Sequence, residues 1–332
     1  MAATPYVPLR VLSAFTMLEG AIDPKAIAKH ARRLGFPAVA LTDRNGLYAA
    51  MPFSEACIAA GVQPIIGSLL AIARPVTGER EGKPPVLDWL ALYAQDESGY
   101  DNLCALVSAA HLERPVQFDP HVALPALAGR SEGLIALTAG GEGAVARLLA
   151  DGQAEAAGHY LAELEALFPG RLYIELARRG DESETLAESA LIGLAYAREL
   201  PLVATNPAAF AEAEFHGAHD VMLCIASSAY VESADRPRSS PDAWLKPASE
   251  MAARFADVPE AIANTLVVAR RCAVAAPSRK PILPSLAGDR DAEIAQLRGD
   301  ARAGLTARME AGVIPDDRRA AYAERLEFEL DV

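Results

Sequence analysis

Cysteine is scarce in this chain: four in 332 residues, Cys57, Cys104, Cys224 and Cys272, far apart and with no C-x-x-C pair. That spacing suits neither a zinc knuckle nor a disulfide framework, so reduced, mostly buried thiols of a cytoplasmic protein are expected. Long apolar runs are missing too. The stretch 62–73 is broken by Gln63, Pro64 and Gly67, well short of the ~20 residues that span a bilayer. No basic segment followed by an apolar one opens the chain, so no secretory signal is read there. Positive charge is in deficit: 31 Lys plus Arg stand against 44 Asp plus Glu, a net charge of −13. Such a balance argues against a surface that grips phosphate backbones unaided.

What is present is apolar and regularly ordered. At 52% hydrophobic, half the chain is available for burial, which excludes disorder and low-complexity scaffolding. Strand-like and helix-like segments alternate. Residues 6–12 read as a strand and 24–34 as a helix with Asp23 as N-cap and Pro24 at its first position. Residues 38–42 form a short buried strand. The helix 51–60 then ends at Gly61, a C′ glycine. Strands are expected at 62–72, 87–94, 133–137, 171–176 and 202–205. Helices fall at 98–111, 143–149, 154–168, 182–200 and 212–225, and a Pro-containing loop covers 112–131. About seven such repeats predict a parallel sheet with helices outside, and the count suits a closed barrel.

After Ser227 the rhythm stops. An extended connection over 228–247 leads to helices at 249–255 and 259–272, the second with Asp257 as a cap. A Pro-rich linker over 276–286 precedes two charged helices, 290–311 and 315–330. The expected division is a barrel over 1–230, an extended connection with two helices over 231–286, and a helical segment over 287–332. The last helix carries no stop signal, which reads as a cut through a longer chain.

Familiar catalytic patterns are lacking. Thr138-Ala-Gly-Gly-Glu-Gly143 is Gly-rich between a strand and a helix, but without the lysine of a phosphate-binding loop it reads as a turn. No G-x-S-x-G elbow occurs. His216 and His219 share a helix face at i, i+3, yet nothing nearby supplies a third metal ligand. The basic clusters 29–33 and 318–319 lie on or beside helices that also carry acids, so they read as solvated faces.

Several motifs, in order along nearly the whole chain, carry a resemblance. They include Pro8-Leu-Arg-Val-Leu-Ser13, Met17-Leu-Glu-Gly-Ala21, Ala38-Val-Ala-Leu-Thr-Asp43, Pro64-Ile-Ile-Gly67 and Gly99-Tyr-Asp-Asn-Leu103. Further on come Tyr173-Ile-Glu-Leu176, Val203-Ala-Thr-Asn206, His219-Asp-Val-Met-Leu-Cys-Ile225 and Tyr322-Ala-Glu-Arg-Leu-Glu-Phe-Glu-Leu330. The chain resembles the family of bacterial DNA polymerase III alpha subunits, whose opening region is a PHP (polymerase and histidinol phosphatase) domain. The resemblance implies a distorted seven-stranded (β/α) PHP barrel followed by a short helical segment leading into the polymerase palm. The polymerase's catalytic carboxylates, with their Mg2+, would lie beyond Val332, so no cofactor is expected here.

Active PHP domains, as the resemblance implies, hold metal ions with histidines and carboxylates at the C-terminal ends of barrel strands. The positions that match are changed. H-x-H-x-H on the first strand reads Pro8-Leu-Arg10-Val-Leu12. The T-D-H of the second keeps Asp43 but ends in Arg44. Later ligands fall at Leu69, Trp89, Gly140, Arg179, Pro207 and Ala209. One carboxylate cannot hold a cluster, so the site is expected to be vestigial. Arg10, Arg44 and Arg179, with Arg178 beside the last, are expected to converge there with Asp43, Glu175 and His219. Fixed guanidinium charge would replace metal charge, either pairing leftover carboxylates or holding an anion. The resemblance further implies a non-catalytic structural and docking role in DNA replication. Its partners would be the polymerase core of the same chain and the proofreading exonuclease subunit epsilon, with DNA contacts mainly elsewhere. The alternatives are a metal-dependent phosphoesterase or 3′–5′ exonuclease with a remodelled site, or the PHP domain of an error-prone alpha-type polymerase.

Overall fold

The computed structural model describes residues 6–75, 84–281 and 284–332. The chain divides into two compact units, Met1–Pro277 and Ser278–Val332. In the first, elements follow in the order α1 (Pro24–Arg33), β1 (Ala38–Arg44), α2 (Ala50–Ala60), β2 (Gln63–Ala73), β3 (Leu87–Ala94), α3 (Glu97–Leu112), β4 (Val122–Ala123), β5 (Leu134–Leu137), α4 (Ala144–Ala150), α5 (Ala154–Leu167), β6 (Leu172–Ala177), α6 (Glu182–Ala197), β7 (Leu202–Thr205), α7 (His216–Ala226), α8 (Ala248–Arg254) and α9 (Pro259–Arg271). The second unit contains α10 (Arg290–Glu310) and α11 (Arg319–Asp331).

Local signals fix many of these boundaries. The Asp23 side chain accepts hydrogen bonds from the N–H groups of Lys25 and Ala26 at the start of α1. Gly61 ends α2 in the left-handed conformation at φ 70°, where a side chain would be strained. Asp257 does not cap α9. Val258 is the N-cap residue and no side chain bonds there, because the Asp257 carboxylate is taken by Arg178.

The seven strands form one curled, mixed sheet in the order β1-β2-β3-β5-β6-β7, with β4 paired to β2. β3 runs antiparallel to both β2 and β5, which departs from the all-parallel sheet expected. Arg74 N–H donates to Val86 C=O where β2 ends and β3 begins. Strand ends held together in this way pair antiparallel.

Residues 8–12 are extended, as expected, but they make isolated bridges rather than a ladder. On one side Ala40 N–H donates to Pro8 C=O and Thr42 N–H to Val11 C=O. On the other, Ala208 N–H donates to Arg10 C=O and Leu12 N–H to Ala208 C=O. This segment therefore bonds to both edges of the sheet, beside β1 and just past β7. Arg10 is carried inward by that bridge.

Apolar side chains fill both faces of the sheet. Ile27, Ala31, Phe53, Leu103, Leu161 and Leu191 pack beneath the outer helices. Val7, Leu9, Ile65, Leu69, Tyr93, Ile135 and Val203 fill the interior. Burial on both faces explains the nearly continuous apolar runs of β1 and β2. α9 stops one end of the barrel: Val268, Ala269 and Cys272 join the interior cluster. Thr265 Oγ1 accepts from Val7 N–H at 3.1 Å, and Gln63 Nε2 donates to Ala269 C=O at 2.6 Å. These contacts sit where β1, β2 and β7 begin, so the opposite end, where strands finish, is left for polar side chains.

Candidate functional site

Three of the expected residues, Arg10, Arg44 and Glu175, meet at that polar end. Arg10, 1% exposed, donates from Nη1 to Glu175 Oε1 at 2.8 Å and from Nη2 to Glu142 Oε2 at 2.6 Å. Glu175, on β6, is fully buried and also accepts from Thr205 Oγ1 of β7 at 2.7 Å. Arg44, the last residue of β1, donates from Nη2 to Glu142 Oε1 at 2.5 Å and from Nε to Glu19 Oε2 at 2.5 Å. Its guanidinium lies 4.3 Å over the Trp89 ring, a cation–π contact. Leu69 pairs with Arg44 in the β1–β2 register.

Glu142 is the hub of this cluster, and sequence reasoning missed it. It sits on a single 3-10 turn, Gly140–Glu142, directly after β5. Ala139 and Gly140 both have positive φ, 62° and 52°, which swings the following carboxylate over the barrel mouth. Burial opposes its charge, but Arg44, Arg10 and Arg179 together hold the Glu142 carboxyl well below the usual carboxylate range. The arginines respond in kind. Burial works against the Arg10 guanidinium, yet Glu175 and Glu142 raise its pKa further above the ordinary value. The available signal was an acidic residue in the turn after a barrel strand, where such residues reach the mouth.

Asp43 stands beside the cluster with different partners. Its carboxylate accepts from Ser13 N–H at 2.7 Å, Ser13 Oγ at 2.7 Å and Thr16 Oγ1 at 2.8 Å. Burial raises its pKa, and those three hydrogen bonds work the other way. Thr16 Oγ1 in turn accepts from Arg44 N–H. Asp43 thus organises the loop that brings Glu19 to Arg44.

Arg179, Arg178 and His219 occupy distinct places. Arg179 pairs with Glu184 of α6 at 3.0 Å and is near enough to act on Glu142. Arg178 is turned away from the mouth. It binds Glu188 of α6 and Asp257 at 2.7 Å each and lies 4.6 Å over Phe255. Adjacent residues just after β6 have diverged, one to the mouth and one to the α8–α9 connection. His219 is buried, with Nε2 at 2.7 Å from Glu19 C=O and Nδ1 at 2.7 Å from Ser239 Oγ. Its ring packs 5.0 Å from Phe210. His216 also bonds Ser239, through its backbone oxygen, so the two histidines hold a strap across the rim. A cleft of about 390 Å³ opens there, its walls including Arg44, Arg179, His219 and Arg238.

Among the described residues, no group of three or more His, Cys, Asp or Glu side chains is arranged to hold a metal ion. Cys57, Cys224 and Cys272 are buried away from solvent, and burial pushes the Cys57 and Cys272 thiols up to about 12. No helix is long and apolar enough to cross a membrane among the described residues.

Comparison with known proteins finds similar chains. The PHP domain family profile matches residues 8–179. DNA polymerase III subunit alpha of Caulobacter vibrioides is 43% identical over 330 residues, covering 98% of this chain and 28% of that protein. The subunit of the same name from Escherichia coli K12 is 34% identical over 339 residues, covering 100% of this chain and 28% of that protein. The chain thus spans little more than a quarter of the length of these relatives. A solved structure from Bifidobacterium adolescentis, provisionally described as a metal-dependent phosphoesterase, aligns over 61% of this chain and 87% of its own. Its sequence identity is 15% and the TM-score 0.43.

Proposed function

The chain belongs to the PHP-domain family, and from that premise we propose that it serves a bacterial replicative DNA polymerase III alpha subunit as a structural and docking barrel without chemistry of its own. The observation that carries this reading is the Arg10–Glu142–Arg44 bridge, with Glu175 and Glu19 as its outer partners. A cluster of divalent ions needs neutral imidazoles and carboxylates free to coordinate. Here guanidinium cations lie 2.5 to 2.8 Å from the carboxylates of the mouth. A divalent ion at the same place would face fixed positive charge at close range in a poorly screened interior. The residues present do not fit the family's metal cluster, and no catalytic step is derived through one.

The same pairs supply a structural role. Arg10 belongs to the bridging segment, Arg44 to β1, Glu142 to the turn after β5, Glu175 to β6 and Glu19 to the rim loop. Charge pairing ties together the strand ends that metals join in active relatives. A barrel so fixed can present its outer surface to partners. Those partners are the polymerase core of the same chain and the proofreading exonuclease subunit, in the cytoplasm. The net charge of −13 leaves most DNA contacts to other parts of the polymerase.

Isothermal titration of this chain with the exonuclease subunit of its own organism tests the docking role. Saturable one-to-one binding is expected. Absence of heat at concentrations of ~100 μM would exclude any complex of micromolar affinity and remove the docking claim.

A further inference from the structure

We propose that Glu142 is the built-in occupant of an oxyanion cradle, one that accepts a tetrahedral phosphate once this side chain is removed. The inference rests on the reading of the mouth as an arginine–carboxylate site. Each oxygen of Glu142 is taken by a different guanidinium, Arg10 on one side and Arg44 on the other, with Arg179 acting as a third cation. Converging guanidinium groups hold the edge of a phosphate in the same manner.

The cradle has donors to spare. Arg10 Nε and Arg44 Nη1 are buried and make no hydrogen bond, an unusual debt for an interior. A carboxylate offers two oxygens, whereas phosphate offers four and can meet donors that Glu142 leaves unmet. Charge permits the exchange. Without Glu142, Glu175, Glu19 and Glu184 still pair with Arg10, Arg44 and Arg179 one for one. A phosphate would restore the negative charge that was removed.

The turn carrying Glu142 places only this side chain between the two arginines, because its neighbours are Gly141 and Gly143. Outside lies the cleft of about 390 Å³, walled by Arg44, Arg179, Arg238 and Ser239, which gives a small ion a path inward. In the intact chain the tethered carboxylate competes at an effective concentration of at least millimolar order. Free phosphate and the phosphate groups of nucleotides therefore meet a closed site.

The test is thermal shift and titration with inorganic phosphate on this 332-residue chain and on Glu142→Ala. The intact chain is expected to show no more response to phosphate than to chloride at equal ionic strength. Glu142→Ala should melt lower than the intact chain in chloride. It should recover in phosphate and bind it at least about tenfold more tightly than the intact chain does. Adding Arg44→Met to that variant should abolish the binding. A Glu142→Ala protein that is folded, destabilised and indifferent to phosphate overturns the cradle. One with unchanged melting overturns the network reading instead. If Glu142→Ala does not fold in chloride, its refolding is followed in phosphate at equal ionic strength, which keeps the cradle vacant. Recovery of the fold in phosphate supports the proposal, and no recovery overturns it.

Discussion

A guanidinium buried as fully as that of Arg10 survives only while its carboxylates stay ionised and close. Arg10→Met keeps the volume but leaves the buried Glu175 without its guanidinium and Glu142 with Arg44 as its remaining partner. The expected loss is about 3–5 kcal/mol by urea denaturation, the usual result of removing one partner of a buried pair. Arg10→Met combined with Glu142→Gln and Glu175→Gln should recover most of it, because no uncompensated charge remains. The acid limb of stability reports on Glu142. Its pKa is depressed in the folded chain, so its contribution is present above the unfolded value near 4.5 and lost as pH falls below it. Asp43 is raised and acts in the opposite sense, gaining stability as pH falls through its folded pKa. Between pH 4 and 3, Glu142→Gln should therefore lose less stability than the wild type, the difference approaching about 1.4 kcal/mol per pH unit. Equal slopes in chemical denaturation series would contradict the assignment. Arg10, Asp43, Arg44 and Glu175 were legible in the sequence because the family resemblance gave positions to inspect, three of them matched to its ligand motifs. Glu142 was not, since its partners lie 132 and 98 residues away in sequence.

At the scale of elements, the turn after β5 is the most constrained piece of the site. A Cβ at Gly143 would stand 1.8 Å from Thr138 C=O, a backbone atom that cannot rotate aside. Gly143→Ala is expected to displace the turn and cost about 1–3 kcal/mol, with the melting temperature as readout. A variant as stable as the parent would show that the turn is not packed as described. Thr265→Val probes the stopped end of the barrel in a similar way. It leaves Val7 N–H buried without its acceptor, for an expected loss of about 1–3 kcal/mol in denaturant titration. Most helices could be read from caps and periodicity, as Asp23 and Gly61 show. The antiparallel β3 was obscured because strand pattern carries no direction. The docking of α9 into the barrel end was likewise hidden. Val268 and Cys272 are apolar in any amphipathic helix, and nothing local distinguishes a barrel interior from an outer layer.

At the scale of the molecule, length and charge acquire a definite sense. Of 332 residues, those through Pro277 form the barrel unit with α8 and α9 included, and Ser278–Val332 form a helical unit of their own. The relatives are more than three times longer, and the proposed docking role belongs to that larger context. Its mouth holds Arg10 and Arg44 paired with Glu142, Glu175 and Glu19, and everything proposed about its role depends on those pairs. The most direct check is elemental analysis of the purified chain after equilibration with excess zinc and manganese and removal of free ions. The account predicts far less than one metal ion per chain, unchanged in the Glu142→Ala variant. Two or three zinc or manganese ions retained per chain, lost on Asp43→Ala and Glu175→Ala, would contradict it.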